Sequence, residues 1–306
     1  MVASKDMPPR TEGFGSLFIK NQYRTTLPVI TRNEADITGR TAIITGSNTG
    51  LGLESSKQLL DLGLSHLIMG VRSLERGETV ASTLRIAHPS ATIDVWSLDM
   101  QSYHSVQNFV RRCDSELRRI DTVILNAGVS PNKFKKVDQT GHEEGFQVNY
   151  LSTALLLILF IPVLKNKSPE SSPAHITVST SILSNLAKFP NRNKTPLLPS
   201  FDDTKVTPWD GNERYMVSKL FSQLFIVKLA EHINPSDVIV NMVEPGFVKG
   251  TELMRDLPLL LNCFMALFKA ASARTVQKGA VTYTDAAVVK GKETHGCMLV
   301  NCEIAP

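Results

Sequence analysis

The strongest constraint on this chain sits at its first apolar strand. Residues 41–52 read TAIITGSNTGLG, a strand pattern that runs straight into Gly46, Gly50 and Gly52. A helical pattern starts there, with Leu51, Leu53, Leu59, Leu60 and Leu62 forming its apolar face. The first glycine permits a sharp turn, the second lets an anionic group approach the backbone, and the third lets helix and strand pack closely. Exposed N–H groups and the helix dipole then favour a pyrophosphate, with Ser47, Asn48 and Leu51 beside it in the turn.

The rest of the chain repeats this strand-to-helix alternation. Strand patterns fall at 41–45, 66–70, 92–97, 122–125, 175–179, 238–243 and 297–300, and helical patterns at 50–62, 74–87, 105–117, 142–164 and 214–232. Repeated β-α-β units predict one α/β domain: a Rossmann-type doubly wound parallel sheet of about seven strands with helices on both faces. The domain is expected to span 39–306 behind an N-terminal lead at 1–38, and 190–210, rich in Pro, Asn and Asp, reads as a long surface loop.

Composition narrows the function. With 33 Lys and Arg against 29 Asp and Glu the net charge is +4, too small and too scattered for nucleic acid to be the main partner. The four cysteines have no CxxC spacing, which suits free thiols in a reducing, cytoplasmic setting. The histidines form no HxH or HExxH, so no metal site is expected, and no GxSxG elbow marks a serine hydrolase. Apolar runs at 154–164 and 257–268 fall short of the roughly 20 residues a membrane span needs. The first reads as a buried helix; the second reads as a core or dimer helix, a lipophilic lid, or a patch in peripheral contact with a membrane.

The glycine spacing, with Asn126-Ala127-Gly128 and the Tyr215–Lys219 pair, resembles the short-chain dehydrogenase/reductase family from about Gly39 to Cys302. Gly70-Val71-Arg72-Ser73, Phe201-Asp202-Asp203 and the long spacer before Tyr215 look most similar to its retinol-dehydrogenase-like branch. Fungal members of similar type often serve secondary metabolism. The end of the second strand carries no acid to hold ribose hydroxyls, whereas Arg72 can pair with a 2′-phosphate and Ser73 can add bonds. The expected cofactor is therefore NADPH/NADP in preference to NAD, the other reading of Arg72 being a solvated helix cap. The resemblance also implies that Asp99 meets the adenine and that Asn126 supports the cofactor pocket.

Tyr215 and Lys219 lie four apart in a helical pattern and so share a face. Acid/base work near neutrality needs a phenol lowered by roughly three units, about 4 kcal/mol, and a nearby ammonium supplies that attraction. By resemblance, Tyr215 exchanges the proton and Lys219 also holds the nicotinamide ribose. Ser181 bonds the substrate oxygen, with Ser179 and Thr180 close in register, and Asn149 holds a water in the proton relay. Pro245, Gly246 and Val248 pass the nicotinamide, and Thr251, six residues after the proline where the family has five, bonds its carboxamide.

The expected function is NADPH-dependent interconversion of a ketone or aldehyde and an alcohol on a lipophilic small molecule. Its alternatives are a catalytically silent cofactor-binding scaffold or regulator, and an epimerase or dehydratase of related fold. The variable walls fall at 131–136, 190–210 and a substrate loop around 247–272. By analogy, the helices at 142–164 and 214–232 form a homodimer interface.

Overall fold

The computed structural model describes residues 2–169, 172–251 and 272–306. One eight-stranded sheet organises them, formed by β1 (Thr41–Thr45), β2 (His66–Val71), β3 (Thr92–Ser97), β4 (Thr122–Leu125), β5 (Ala174–Ser179), β6 (Val238–Glu244), β7 (Met298–Val300) and β8 (Glu303–Ala305). Their order is β3-β2-β1-β4-β5-β6-β7-β8, parallel up to β7, with β8 returning antiparallel. The eighth strand goes beyond the seven read from the sequence. Asn301 and Cys302 make its hairpin turn with φ of 54° and 66°, the left-handed pair of a two-residue loop. Asn commonly signals such a turn, but Cys does not, so the hairpin was hidden.

Helices cover both faces: α1 (Phe14–Ile19), α2 (Gly50–Asp61), α3 (Leu74–Ala87), α4 (Tyr103–Glu116), α5 (Glu144–Phe146), α6 (Ser152–Lys167), α7 (Gly211–Ala230) and α8 (Val276–Thr284). Side chains of Ser73, Ser102, Asp210 and Thr275 cap α3, α4, α7 and α8 by accepting first-turn N–H groups. On one face Phe109, Leu156, Phe160 and Ile226 pack against Ile43, Val123 and Ile176; on the other Leu59, Leu60, Leu84 and Tyr283 pack against Ile44, Leu67 and Val243. Each such side chain, fully buried, contributes about 1.5–3 kcal/mol. The run Glu144–Lys167 is long and apolar enough to cross a membrane, yet Leu156, Leu157, Phe160 and Leu164 on it are buried in this protein core.

Three features depart from the sequence reading. The stretch 190–210 is not only a surface loop, because a 3₁₀ turn at Leu198–Asp202 buries Phe201, which stacks on Phe146 with ring centroids 4.1 Å apart. Helix α8 was not anticipated. The lead carries structure of its own: Ala35 and Ile37 are buried in the core, and α1 with the π turn Lys20–Arg24 lies along the mouth of the main cavity.

Candidate active site

Strand order reverses between β1 and β4, which opens a crevice at their carboxyl ends. The glycine turn fills one side of it. The Gly46 N–H donates to Gly70 O at 2.8 Å, and Asn126 Nδ2 donates to Thr45 O and Gly46 O at 3.0 and 3.2 Å. Thr45 Oγ1 accepts the N–H groups of Asn126 and Ala127, both at 3.0 Å. Asn126 thus fastens the turn to the end of β4. A Cβ at Gly52 would lie 2.5 Å from Gly46 O and 2.6 Å from Asn126 Nδ2, so no larger residue fits while the turn is closed.

A cavity of about 810 Å³ extends from this turn. It gathers Gly46, Asn48, Gly50 and Leu51 with Arg72, Ser73, Asp99 and Asn126 at one end. Towards the other lie Ser181, Tyr215, Lys219, Pro245, Gly246 and Val248. Thr251 comes against the glycine turn, with its Cα 3.6 Å from where a Gly50 Cβ would be. Three expected residues do not reach the cavity wall: Ser47 and Gly52 support the turn from beneath, and Asn149 stands behind Gly128. The Ser47 hydroxyl is buried without a partner. Ser73 caps α3 by accepting the Arg76 N–H at 3.3 Å.

Tyr215 and Lys219 project from α7 into the cavity, with the Lys219 Nζ 5.9 Å from the Tyr215 ring centroid. Among the three neighbouring hydroxyls, Ser181 is the one that acts on the Tyr215 phenol, favouring its ionised form. Thr180 Oγ1 is occupied by Gln223 Nε2 at 2.7 Å, and Ser179 Oγ is paired with the Tyr283 hydroxyl at 2.5 Å. Asn149 lies in a π turn, Gln147–Leu151. Its Oδ1 accepts the Val129 N–H at 2.9 Å, and its Nδ2 donates to Val129 O at 2.9 Å and to Ser218 Oγ at 3.0 Å. Its amide therefore clamps the segment after β4 to α7, across Gly128 from the Lys219 ammonium.

The acid/base pair differs from the expectation of a lowered phenol. Burial, with the Glu244 charge nearby, pushes Tyr215 up to about 12 against the pull of the Ser181 hydroxyl. Burial pushes Lys219 down to about 8. Tyr215 is thus held as a neutral phenol, the form that donates a proton.

Several lining residues escaped the sequence reading. Phe14, Leu17, Phe18, Asn21 and Gln22 of the lead line the cavity, as do Arg76, Glu244 and Tyr283. Gln22 Nε2 donates to Phe247 O at 2.8 Å and Ser272 O at 3.0 Å, and Gln22 Oε1 accepts the Phe247 N–H at 3.2 Å. The i, i+3, i+4 spacing of Phe14, Leu17 and Phe18 was an available helical signal. A carboxylate closing the apolar run 238–244 was another. Residues 252–271, including most of the expected substrate loop and the apolar run 257–268, lie outside the described residues. Among the described residues, no group of three or more His, Cys, Asp or Glu side chains could hold a metal ion.

The closed glycine cradle and the neighbouring arginines fit a dinucleotide, the pyrophosphate lying at the start of α2. Comparisons agree with this reading. The family model for short chain dehydrogenase matches residues 40–189. The short chain dehydrogenase/reductase mfmJ of Annulohypoxylon moriforme is 49% identical over 307 residues, covering 100% of this chain and 88% of that protein. The short chain dehydrogenase virL of Hypocrea virens is 44% identical over 275 residues, covering 88% and 78%. The solved NADPH-dependent 3-quinuclidinone reductase of Rhodotorula rubra shares the fold at TM-score 0.64 and 19% identity, covering 90% of this chain and 94% of that one. Carbonyl reductase Sniffer of D. melanogaster does so at TM-score 0.62 and 20% identity, covering 87% and 98%. With a relative this similar across its full length, a matching family model and a nicotinamide-type cradle at the sheet's switch point, the chain belongs to the short-chain dehydrogenase/reductase family of oxidoreductases.

Proposed function

We propose that this protein is an NADPH-dependent carbonyl reductase or alcohol dehydrogenase for a lipophilic small molecule, serving secondary-metabolite biosynthesis in the cytoplasm as a homodimer. The observation that carries the reading is the convergence of Ser181, the Tyr215 phenol and Lys219 in a cavity that begins at the glycine turn. Preference for the phosphorylated cofactor is supported by Arg72 and Arg76, both at the cavity edge after β2, and by the lack of a carboxylate at that strand end. The lipophilic substrate class is supported by Phe14, Leu17, Phe18, Val129, Ile182 and Phe247 along the wall.

Ser181 and Tyr215 hold the carbonyl oxygen. A nicotinamide held between the glycine turn and Lys219 would supply hydride to the carbonyl carbon, and Tyr215 would give its proton to the oxygen. Lys219, cationic below about pH 8, stabilises the phenolate left behind. Asn149 keeps the segment beside Lys219 in place through Val129. The homodimer is supported by Ile158 on α6 and Leu224 on α7, large apolar side chains that stay 50% and 55% exposed.

The deciding measurement is NADPH oxidation with a panel of ketones and aldehydes. Tyr215→Phe is expected to lower kcat by about 10²–10⁴ while cofactor binding is retained. Equal turnover by wild type and variant would overturn the mechanism.

A further inference from the structure

One polar group in the cavity has no part in the chemistry above. Glu244 ends β6, lines the cavity and is 5% exposed, and its Oε2 has no hydrogen-bond partner. Arg274, the Gly246 N–H and Arg10 all favour its ionised form. Its own charge acts on both Tyr215 and Tyr283. The Tyr283 hydroxyl is already taken by Ser179, so it does not satisfy Oε2. Buried carboxyl oxygens are nearly always partnered. An unpartnered one on a side chain that lines a lipophilic cavity beside the proton donor marks that carboxyl as an attachment point for a ligand.

We propose that Glu244 selects the substrate by hydrogen-bonding a second hydroxyl on a lipophilic carbonyl compound whose carbonyl oxygen sits at Tyr215 and Ser181, an assignment that rests on the carbonyl-reductase reading. A hydroxyl both donates and accepts, so it satisfies the carboxyl whether that group is ionised or neutral. Burial favours the neutral form, and Arg274 with the Gly246 N–H favours the ionised one. An ammonium on the substrate is disfavoured by the cations already there, Arg274 and Arg10 near Glu244 and Lys219 near Tyr215. Among the described residues, Glu244 is also the carboxylate whose charge bears on Tyr215, which places the second hydroxyl on the same side of the cavity as the reacting carbonyl.

The test uses acetophenone and its ortho-, meta- and para-hydroxy isomers with NADPH, in wild type, Glu244→Gln and Glu244→Leu. Wild type is expected to prefer at least one hydroxy isomer over acetophenone by roughly 10- to 100-fold in kcat/KM. Glu244→Gln should shrink that ratio and Glu244→Leu abolish it, mainly through KM. A ratio that survives Glu244→Leu overturns the proposal. So does an equal loss on all four ketones with a shifted pH profile, the mark of a residue that positions Tyr215, and so does a matching loss of NADPH affinity, the mark of a cofactor contact. A flat ratio in a wild type that reduces acetophenone defeats the Glu244 assignment alone. A wild type that binds NADPH yet reduces none of the ketones defeats the carbonyl-reductase reading and Glu244 with it.

Discussion

The Lys219 ammonium donates a 3.0 Å hydrogen bond to the main-chain oxygen of Ser179, while its distance to the Tyr215 ring centroid is 5.9 Å. The end of β5 therefore sets the lysine's position. Tyr283 holds the side chain of that same Ser179, so one residue anchors both the lysine and the floor of the cavity.

This arrangement predicts the pH dependence. Burial lowers Lys219 to about 8, so its charge is complete well below that value and lost above it. Tyr215, raised to about 12, stays protonated throughout. Reduction needs the cation and the phenol, and so kcat/KM for carbonyl reduction should be flat at low pH and fall as pH rises through about 8. A profile between about pH 6 and 10 checks this. Lys219→Arg, which cannot lose its charge in that range, should remove the alkaline limb from whatever activity remains.

Arg72 and Arg76 stand at the cavity end that follows β2. Substituting either with Ala should raise the Kd for NADPH by about 10-fold, as expected for a lost charge-assisted bond, and leave NADH almost unaffected. The double variant should bring the two cofactors close to equal affinity. Titration of each by fluorescence measures the ratio, and an unchanged ratio would rule out a phosphate role for this pair.

Gly52→Ala should both destabilise the fold and weaken dinucleotide binding. Its methyl would sit 2.5 Å from Gly46 O, so the turn must open, at a cost of about 1–3 kcal/mol by analogy with overpacked cores. Thermal denaturation with and without NADPH reads both effects. Gly141→Ala serves as a reference for a tight-φ glycine with open space around it, its φ being 73° with nothing within 4 Å.

Gln22 joins the lead to Phe247 and Ser272 by three hydrogen bonds. Gln22→Ala should lose about 1–3 kcal/mol of stability and raise KM for the carbonyl substrate several-fold, with the Kd of NADPH little changed. Loss of cofactor affinity without a change in KM would show that the lead serves the other end of the cavity.

Much of the sheet was legible in the sequence because strands buried on both faces read as continuous apolar runs between turn signals. The bounds of β1, β3, β4 and α3 coincide with their patterns. The glycine turn was legible because sterics leave few alternatives at Gly46 and Gly52. What stayed hidden depends on contacts between distant residues. Gln22 reads as an ordinary polar residue until it meets Phe247, 225 positions away. Phe201 lies in a stretch of Pro, Asn and Asp, and only its stacking on Phe146 makes it core. The phenol is raised, where pairing with lysine alone suggested a lowered one, because burial and Glu244 outweigh the pull of the Ser181 hydroxyl. No periodicity encodes that balance.

The meeting of the lead with the last strands has a consequence for how the enzyme is made. Ser4 Oγ accepts the Met298 N–H at 2.9 Å, and Asn21 Oδ1 accepts from Asn301 Nδ2 at 3.0 Å. Arg274 bonds both Asn21 and Asn301. The wall built from Asn21 and its neighbours therefore rests on residues 253 and 280 positions further along the chain. Contacts of such long sequence separation form late because their loop-closure entropy comes first. A growing chain can complete its glycine cradle once β1, α2 and β4 are made, well before the opposite side of the pocket has anything to rest on.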